Sequence, residues 1–154
     1  MTDKPNFVMA TYINCTQDAL WDALTDPDQL VQYSFVASSC ARDGNKLVYK
    51  MDVGAEEEMV MMICTYTEET PKTRIASTFE PHWDGPDVDL AASRFVFEIE
   101  PQLSFCKLTL EHYDLPADMT EGVSDGWARD IAALKTFLET GTPIQFPDPN
   151  LMEG

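Results

Sequence analysis

Positive charge is what this chain most lacks. Its 154 residues carry 10 Lys plus Arg against 27 Asp plus Glu, giving a formal net charge of −17 and a pI near 4.1. Such a field repels phosphate backbones and anionic lipid, which argues against nucleic-acid binding and membrane attachment. Histidine is nearly absent: His82 and His112 are the only two, and neither has the ligand spacing of a motif such as H-E-x-x-H. No metal and no cofactor is therefore expected. No apolar run approaches the ~20 residues that span a bilayer. The N-terminal "MTDKPNFVMA" lacks the basic-then-apolar pattern of a secretory leader, so a cytoplasmic protein is expected. Cys15, Cys40, Cys64 and Cys106 include no C-x-x-C pair and are expected to be reduced, buried thiols. A G-x-S-x-G elbow, a glycine-rich phosphate loop and a calcium loop are all missing.

What is present reads as one globular domain, since 44% of the residues are hydrophobic. "FVMATYIN" (Phe7 to Asn14) is rich in β-formers and reads as a strand. "CTQDALWDALTDPDQLVQY" follows, with Thr16 as a helix cap and a break near Thr25 to Pro27, so two short helices are expected. A weak strand, "FVASSCAR", precedes a run of clearer ones: "NKLVYKMDV" (Asn45 to Val53), "EMVMMICTYTEET" (Glu58 to Thr70) and "TRIASTFEP" (Thr73 to Pro81). The second of these is apolar on both faces, as a central strand would be. After a loop marked by Gly85-Pro86, "SRFVFEIE" and "LSFCKLTLEHY" alternate and read as a hairpin. His112 shares the parity of Cys106, Leu108 and Leu110, so it is expected to point inward.

The segment "GWARDIAALKTFLETG" (Gly126 to Gly141) closes the ordered chain. Trp127, Ile131, Leu134 and Leu138 fall within an arc of roughly 60°, an amphipathic helix with one apolar stripe. Thr120 or Ser124 is expected to cap its start, and Gly141 to end it in the left-handed conformation. That start puts Trp127 in the first turns, where it can border an opening. The order is strand, two helices, antiparallel strands, long helix. Strands and helices segregate, so the fold class is α+β, with the sheet curled around the one helix long enough to cover it. The tail from 143 to 154, "TPIQFPDPNLMEG" with Thr142, holds three prolines and is expected to be irregular.

These residues resemble a known family. "GWARDIAALKTFLETG" is similar to the C-terminal "GW…LK…LETG" signature of proteins like the activator of heat-shock-chaperone ATPase, in the START-like (SRPBCC) superfamily. Trp21, Ala23, Leu24, Thr25, Asp26 and Pro27 resemble that family's "W-x-A-L-T-D-P" region, and "SRFVFEIEP" its penultimate strand. The resemblance spans residues 7–142. It implies a helix-grip fold, a curved antiparallel sheet holding the C-terminal helix, often with an apolar cavity between them. The superfamily uses that cavity for lipids, polyketides and other apolar molecules, and a few members catalyse cyclisation or hydrolysis. The family is named for a co-chaperone that carries a further N-terminal domain, for which this chain shows no counterpart.

The expected function is binding of an apolar small molecule or lipid between sheet and C-terminal helix. Candidate ligand-binding residues are Tyr49, Met62, Phe79, Phe95, Phe97, His112, Trp127 and Ile131. Met59, Met61 and Met62 lie on one strand, and methionine adapts to varied apolar partners. A cavity with few polar groups favours binding over catalysis. Two alternatives stand beside this: a cyclase- or hydrolase-type enzyme with His112 or Tyr49 as acid or base, and a co-chaperone-like interaction module. The carboxylates of "AEEEM" and "TEET" are expected to be solvated. Truncating Trp127 to Ala is expected to weaken dye binding without unfolding the chain.

Overall fold

The computed structural model describes residues 4–34, 37–54 and 57–146. In chain order the elements are β1 (Phe7–Ile13), α1 (Gln17–Thr25), α2 (Pro27–Tyr33), β2 (Ser39–Asp43), β3 (Lys46–Gly54), β4 (Glu57–Thr70), β5 (Arg74–Pro81), β6 (Ser93–Pro101), β7 (Cys106–Tyr113) and α3 (Ala117–Thr140). The strands form one antiparallel sheet in the order β1-β7-β6-β5-β4-β3-β2. The sheet runs as a meander except that β1, first in sequence, pairs with β7, last in sequence. Register shifts between Tyr49 and Lys50 and between Tyr66 and Glu68 break the β3–β4 and β4–β5 ladders. Such bulges bend and twist a sheet. The result is a helix-grip: a curved seven-stranded sheet with α3 on its concave face.

The helix boundaries follow from local chemistry. Thr16 accepts the Ala19 N–H and starts α1. Asp26 ends α1 and also caps α2 by accepting the Asp28 N–H, with Pro27 in the first turn, where its missing N–H costs nothing. The last carbonyls of α1 face inward and need donors. Tyr33 Oη donates to Ala23 O (2.8 Å), Tyr66 Oη to Leu24 O (3.4 Å) and Arg42 to Thr25 O (3.2 Å). One short helix is thus tied to α2, β4 and β2 at once.

The long helix differs from its sequence-based outline. It begins at Ala117, before either expected cap, Thr120 or Ser124, and runs 24 residues. Pro116 stands at its N-cap without a side-chain capping bond. Thr120 and Ser124, expected as caps, lie inside it and donate to Pro116 O and Glu121 O. Glycine at 122 and 126 weakens helix propensity, so the first turns of α3 carry little local signal and depend on packing. At the far end Gly141 (φ 85°) takes the left-handed conformation and its N–H reaches Phe137 O.

Two clamps fix the ends of α3. Asn6 accepts the Leu115 N–H and donates to Leu115 O, while its backbone N–H reaches His112 O, so the residue before β1 holds the link from β7 into α3. Glu139 accepts from the Asn14 N–H and from Lys135, which also donates to Tyr12 O. The core between sheet and helices includes Ile13, Leu20, Leu47, Ile75, Leu108, Leu110 and Leu134. Of the four cysteines, Cys64 and Cys106 are buried, but Cys15 and Cys40 are only half-buried. Glu68 and Glu69 of "TEET" are ion-paired with Arg74 and Arg42, and Ala55 and Glu56 of "AEEEM" lie outside the described residues, as do Phe35, Val36 and residues 147–154. No described helix is long and apolar enough to cross a membrane.

Tyr33→Phe is expected to destabilise the fold by about 1–2 kcal/mol, because it leaves a buried carbonyl of α1 without its donor. Urea denaturation should show a lower midpoint with an unchanged slope.

Candidate functional site

The concave side of the sheet holds two separate spaces. The inner one is a void of 50 Å³ between α3, α2 and strands β3 to β6. That is room for a few waters at most, well short of the several hundred Å³ that ligand sites occupy. The outer one is a cleft of 550 Å³, within the range of small-molecule sites. Its walls are the first half of α3, the β4 residues Met61 and Met62, Phe79 of β5, and the loop carrying Trp83, Asp84 and Leu90. Met62, Trp127 and Asp130 border both spaces. Trp127 thus stands mid-helix where the two spaces adjoin, with Met62 and Asp130 beside it.

Two forces hold Trp127 in place. The indole packs against Phe95 (5.0 Å between ring centroids), Phe97 (5.5 Å) and Phe79 (6.0 Å). Its Nε1–H donates to Nδ1 of His112 at 2.9 Å. An indole N–H can only donate, so Nδ1 must carry the lone pair and the ring proton lies on Nε2. Nε2 in turn donates to Ser93 Oγ at 2.7 Å. His112 is wholly buried, with Phe7, Phe79 and Phe95 around it. Burial lowers its pKa from 6.5 to about 4, so the imidazole is neutral at pH 7.

Most of the sequence candidates converge here, although on different sides. Tyr49, Phe95, Phe97 and Ile131 line the inner void; Phe79 lines the cleft; Met62 and Trp127 line both. His112 lines neither: it stands behind the aromatic wall, with both ring nitrogens engaged. Tyr49 is buried against the void, and burial raises its pKa well above 10. Burial likewise pushes the Cys15 and Cys40 thiols up to about 11, so neither is a ready nucleophile. Among the described residues no three His, Cys, Asp or Glu side chains gather as a metal site requires.

Sequence reasoning missed the first half of α3. Met119, Gly122, Val123 and Gly126 line the cleft together with Trp127. The Met119–Val123–Trp127–Ile131 spacing of four was the available signal. Gly122 matters for shape: a Cβ there would meet nothing within 4 Å. The position therefore has room for a side chain at the border of the cleft. Trp127 is also less replaceable than its sequence position implied. Truncation to Ala would strip a packed aromatic and leave His112 Nδ1 without its donor, a combination that costs about 3–5 kcal/mol.

A shallower surface depression lies at the other end of the sheet, beside Tyr12, Gln102 and Phe105. Its polar groups already serve the Lys135–Glu139 clamp, so the 550 Å³ cleft is the better-built site.

The family model described as "Activator of Hsp90 ATPase homolog 1-like protein" matches residues 14–139. No curated protein matches the chain. Among solved structures, DynU16, from the dynemicin biosynthetic locus, is 18% identical with a TM-score of 0.66; the match covers 90% of this chain but only 49% of DynU16. CalU16 from Micromonospora echinospora is 18% identical (TM-score 0.68), covering 94% of this chain and 78% of that one. The Aha1 dimer from Colwellia psychrerythraea is 16% identical (TM-score 0.67), covering 88% and 96%. At these identities the likeness is one of fold.

The His112 geometry makes stability depend on pH. The folded ring (pKa about 4) binds its proton less readily than the unfolded one (6.5), so the unfolded state gains protons first as pH falls. The contribution of His112 is fully present well above pH 6.5. It should fall by on the order of 3 kcal/mol between pH 6.5 and 4. Denaturation midpoints of the wild type and His112→Gln, measured across that window, should show a wild-type slope that the variant lacks.

Proposed function

The chain belongs to the family of Activator of Hsp90 ATPase homolog 1-like proteins, and from that premise we propose that it binds an apolar small molecule in the cleft between its sheet and α3. The observation that carries this reading is the 550 Å³ cleft itself, walled by Met61, Met62, Phe79, Met119, Val123 and Trp127. Its apolar walls supply affinity by removing ligand surface from water. The three methionines adapt to differing ligand shapes. Phe95, Phe97, Tyr49 and Ile131 back the wall from within, and His112 fixes Trp127 in place as a positioning residue.

Binding is favoured over a cyclase- or hydrolase-type reaction. The acid–base candidates are committed elsewhere: His112 bonds Ser93 and Trp127, and Tyr49 faces the 50 Å³ void. A protein-interaction role draws on a different surface. Val8, Tyr12, Leu103 and Phe105 are exposed apolar side chains around β1 and the β6–β7 turn, with Tyr12 and Phe105 in edge contact. That surface is independent of the cleft, so the two readings can both hold.

Gly122 gives a test that separates binding from stability. Gly122→Ala should stabilise the fold by about 1 kcal/mol, since glycine is a poor helix former and the added methyl enters open space. Gly122→Leu should keep the fold but fill the cleft and lower the affinity for an apolar dye such as 1-anilinonaphthalene-8-sulfonate or Nile red at least tenfold. Equal dye titrations for wild type and Gly122→Leu, with thermal midpoints intact, would remove the cleft as the binding site.

A further inference from the structure

We infer that the chain's own C-terminal segment, residues 147–154, docks in the cleft and competes there with the apolar ligand. The inference rests on the cleft being the ligand site, as proposed above, and adds how that site is regulated. After Gly141 the backbone reverses and runs back along α3. The Ile144 N–H donates to Thr136 Oγ1 at 2.9 Å. Two residues later the Phe146 ring, packed half-buried against the core, has the Arg129 guanidinium 6.0 Å from its centroid. Thr136 and Arg129 are seven positions apart, so they share one stripe of the helix. The next position on that stripe is Gly122, at the border of the cleft. The chain from Gly141 to Phe146 thus runs along α3 toward the cleft.

Length and chemistry complete the fit. Gly122 stands one more heptad, about 10.5 Å, beyond Arg129 along the helix. Residues 147–150, Pro-Asp-Pro-Asn, cover about 12 Å on the extended path that proline favours. That path delivers Leu151 and Met152, the segment's two large apolar side chains, beside Gly122. A Cβ on Gly122 would meet nothing within 4 Å, so the helix leaves room there for a side chain from elsewhere. Met61, Met119 and Val123 on the wall suit leucine and methionine. Asp148 and Glu153 carry charge of the same sign as Asp84 and Asp118 at the border. Like charge weakens the contact, so the segment yields to a ligand instead of sealing the cleft. Tethering offsets that weakness, because a short linker holds the segment at an effective concentration on the order of millimolar.

The test titrates Nile red into the full chain. A segment docked in about four molecules of five lowers the apparent dye affinity about fivefold, since only the open fraction binds. Leu151→Ser with Met152→Ser should therefore bind Nile red about fivefold tighter than the wild type, with an unchanged circular dichroism spectrum. Asn150→Ser should match the wild type. Gly122→Leu should weaken the dye, and adding the two serines to it should give no gain. Wild-type affinity should not change with protein concentration. Equal dye affinity for the wild type and the double serine variant overturns this inference alone and leaves the cleft as the ligand site. A gain that persists beside Gly122→Leu puts the segment elsewhere and overturns it too. Affinity that falls as protein concentration rises assigns the cleft to the segment of a second copy and overturns docking within one chain. Dye binding that Gly122→Leu does not touch overturns the cleft as a ligand site.

Discussion

The interior of this protein is organised by one hydrogen bond, from the indole N–H of Trp127 on α3 to Nδ1 of His112 on β7. A helix laid across a concave sheet leaves space that side chains must either fill or enclose. Here a single large ring, fixed by that bond, stands where two spaces adjoin. On one side the phenylalanines of β6 close the packing to a remnant void. On the other, small and flexible side chains leave a cleft. The bond requires a neutral imidazole, and the apolar surroundings of His112 supply that condition.

The parts that hold Trp127 lie far apart in the chain. Asn6 fixes the exit of β7 through Leu115, so His112 and the start of α3 are set by the same residue, the one that precedes β1. Ser93 orients the histidine from β6, and the ladder puts Phe95 directly opposite His112. Removing any of these would be felt at the cleft wall through Trp127. A polar relay buried among aromatic rings is a demanding arrangement, because each member is costly to leave unpaired. Its value lies in geometry: it gives a mid-helix tryptophan one orientation.

Charge and shape divide their work. Surface carboxylates near the strand ends are partly neutralised by arginines, as in the Arg42–Glu69 and Arg74–Glu68 pairs. The wall of the cleft is mainly apolar and aromatic, with Asp84, Asp118 and Asp130 at its border. The acidity evident from composition is thus distributed between ion-paired strand ends and the border of the cleft.

The sequence by itself determined the element order, the antiparallel pattern and the inward parity of His112. These follow from local chemistry: alternation in β6 and β7, the Thr16 cap and the break at Pro27, and the left-handed Gly141. It did not determine where α3 begins, because Gly122 and Gly126 interrupt the propensity that marks a helix. Only the tertiary structure decided that those glycines face a cleft, that Trp127 borders two spaces, and that His112 stands behind the wall. The physical reason is that periodicity records which face of an element is apolar. It carries no record of which distant side chain will meet that face, or of how much room is left between them.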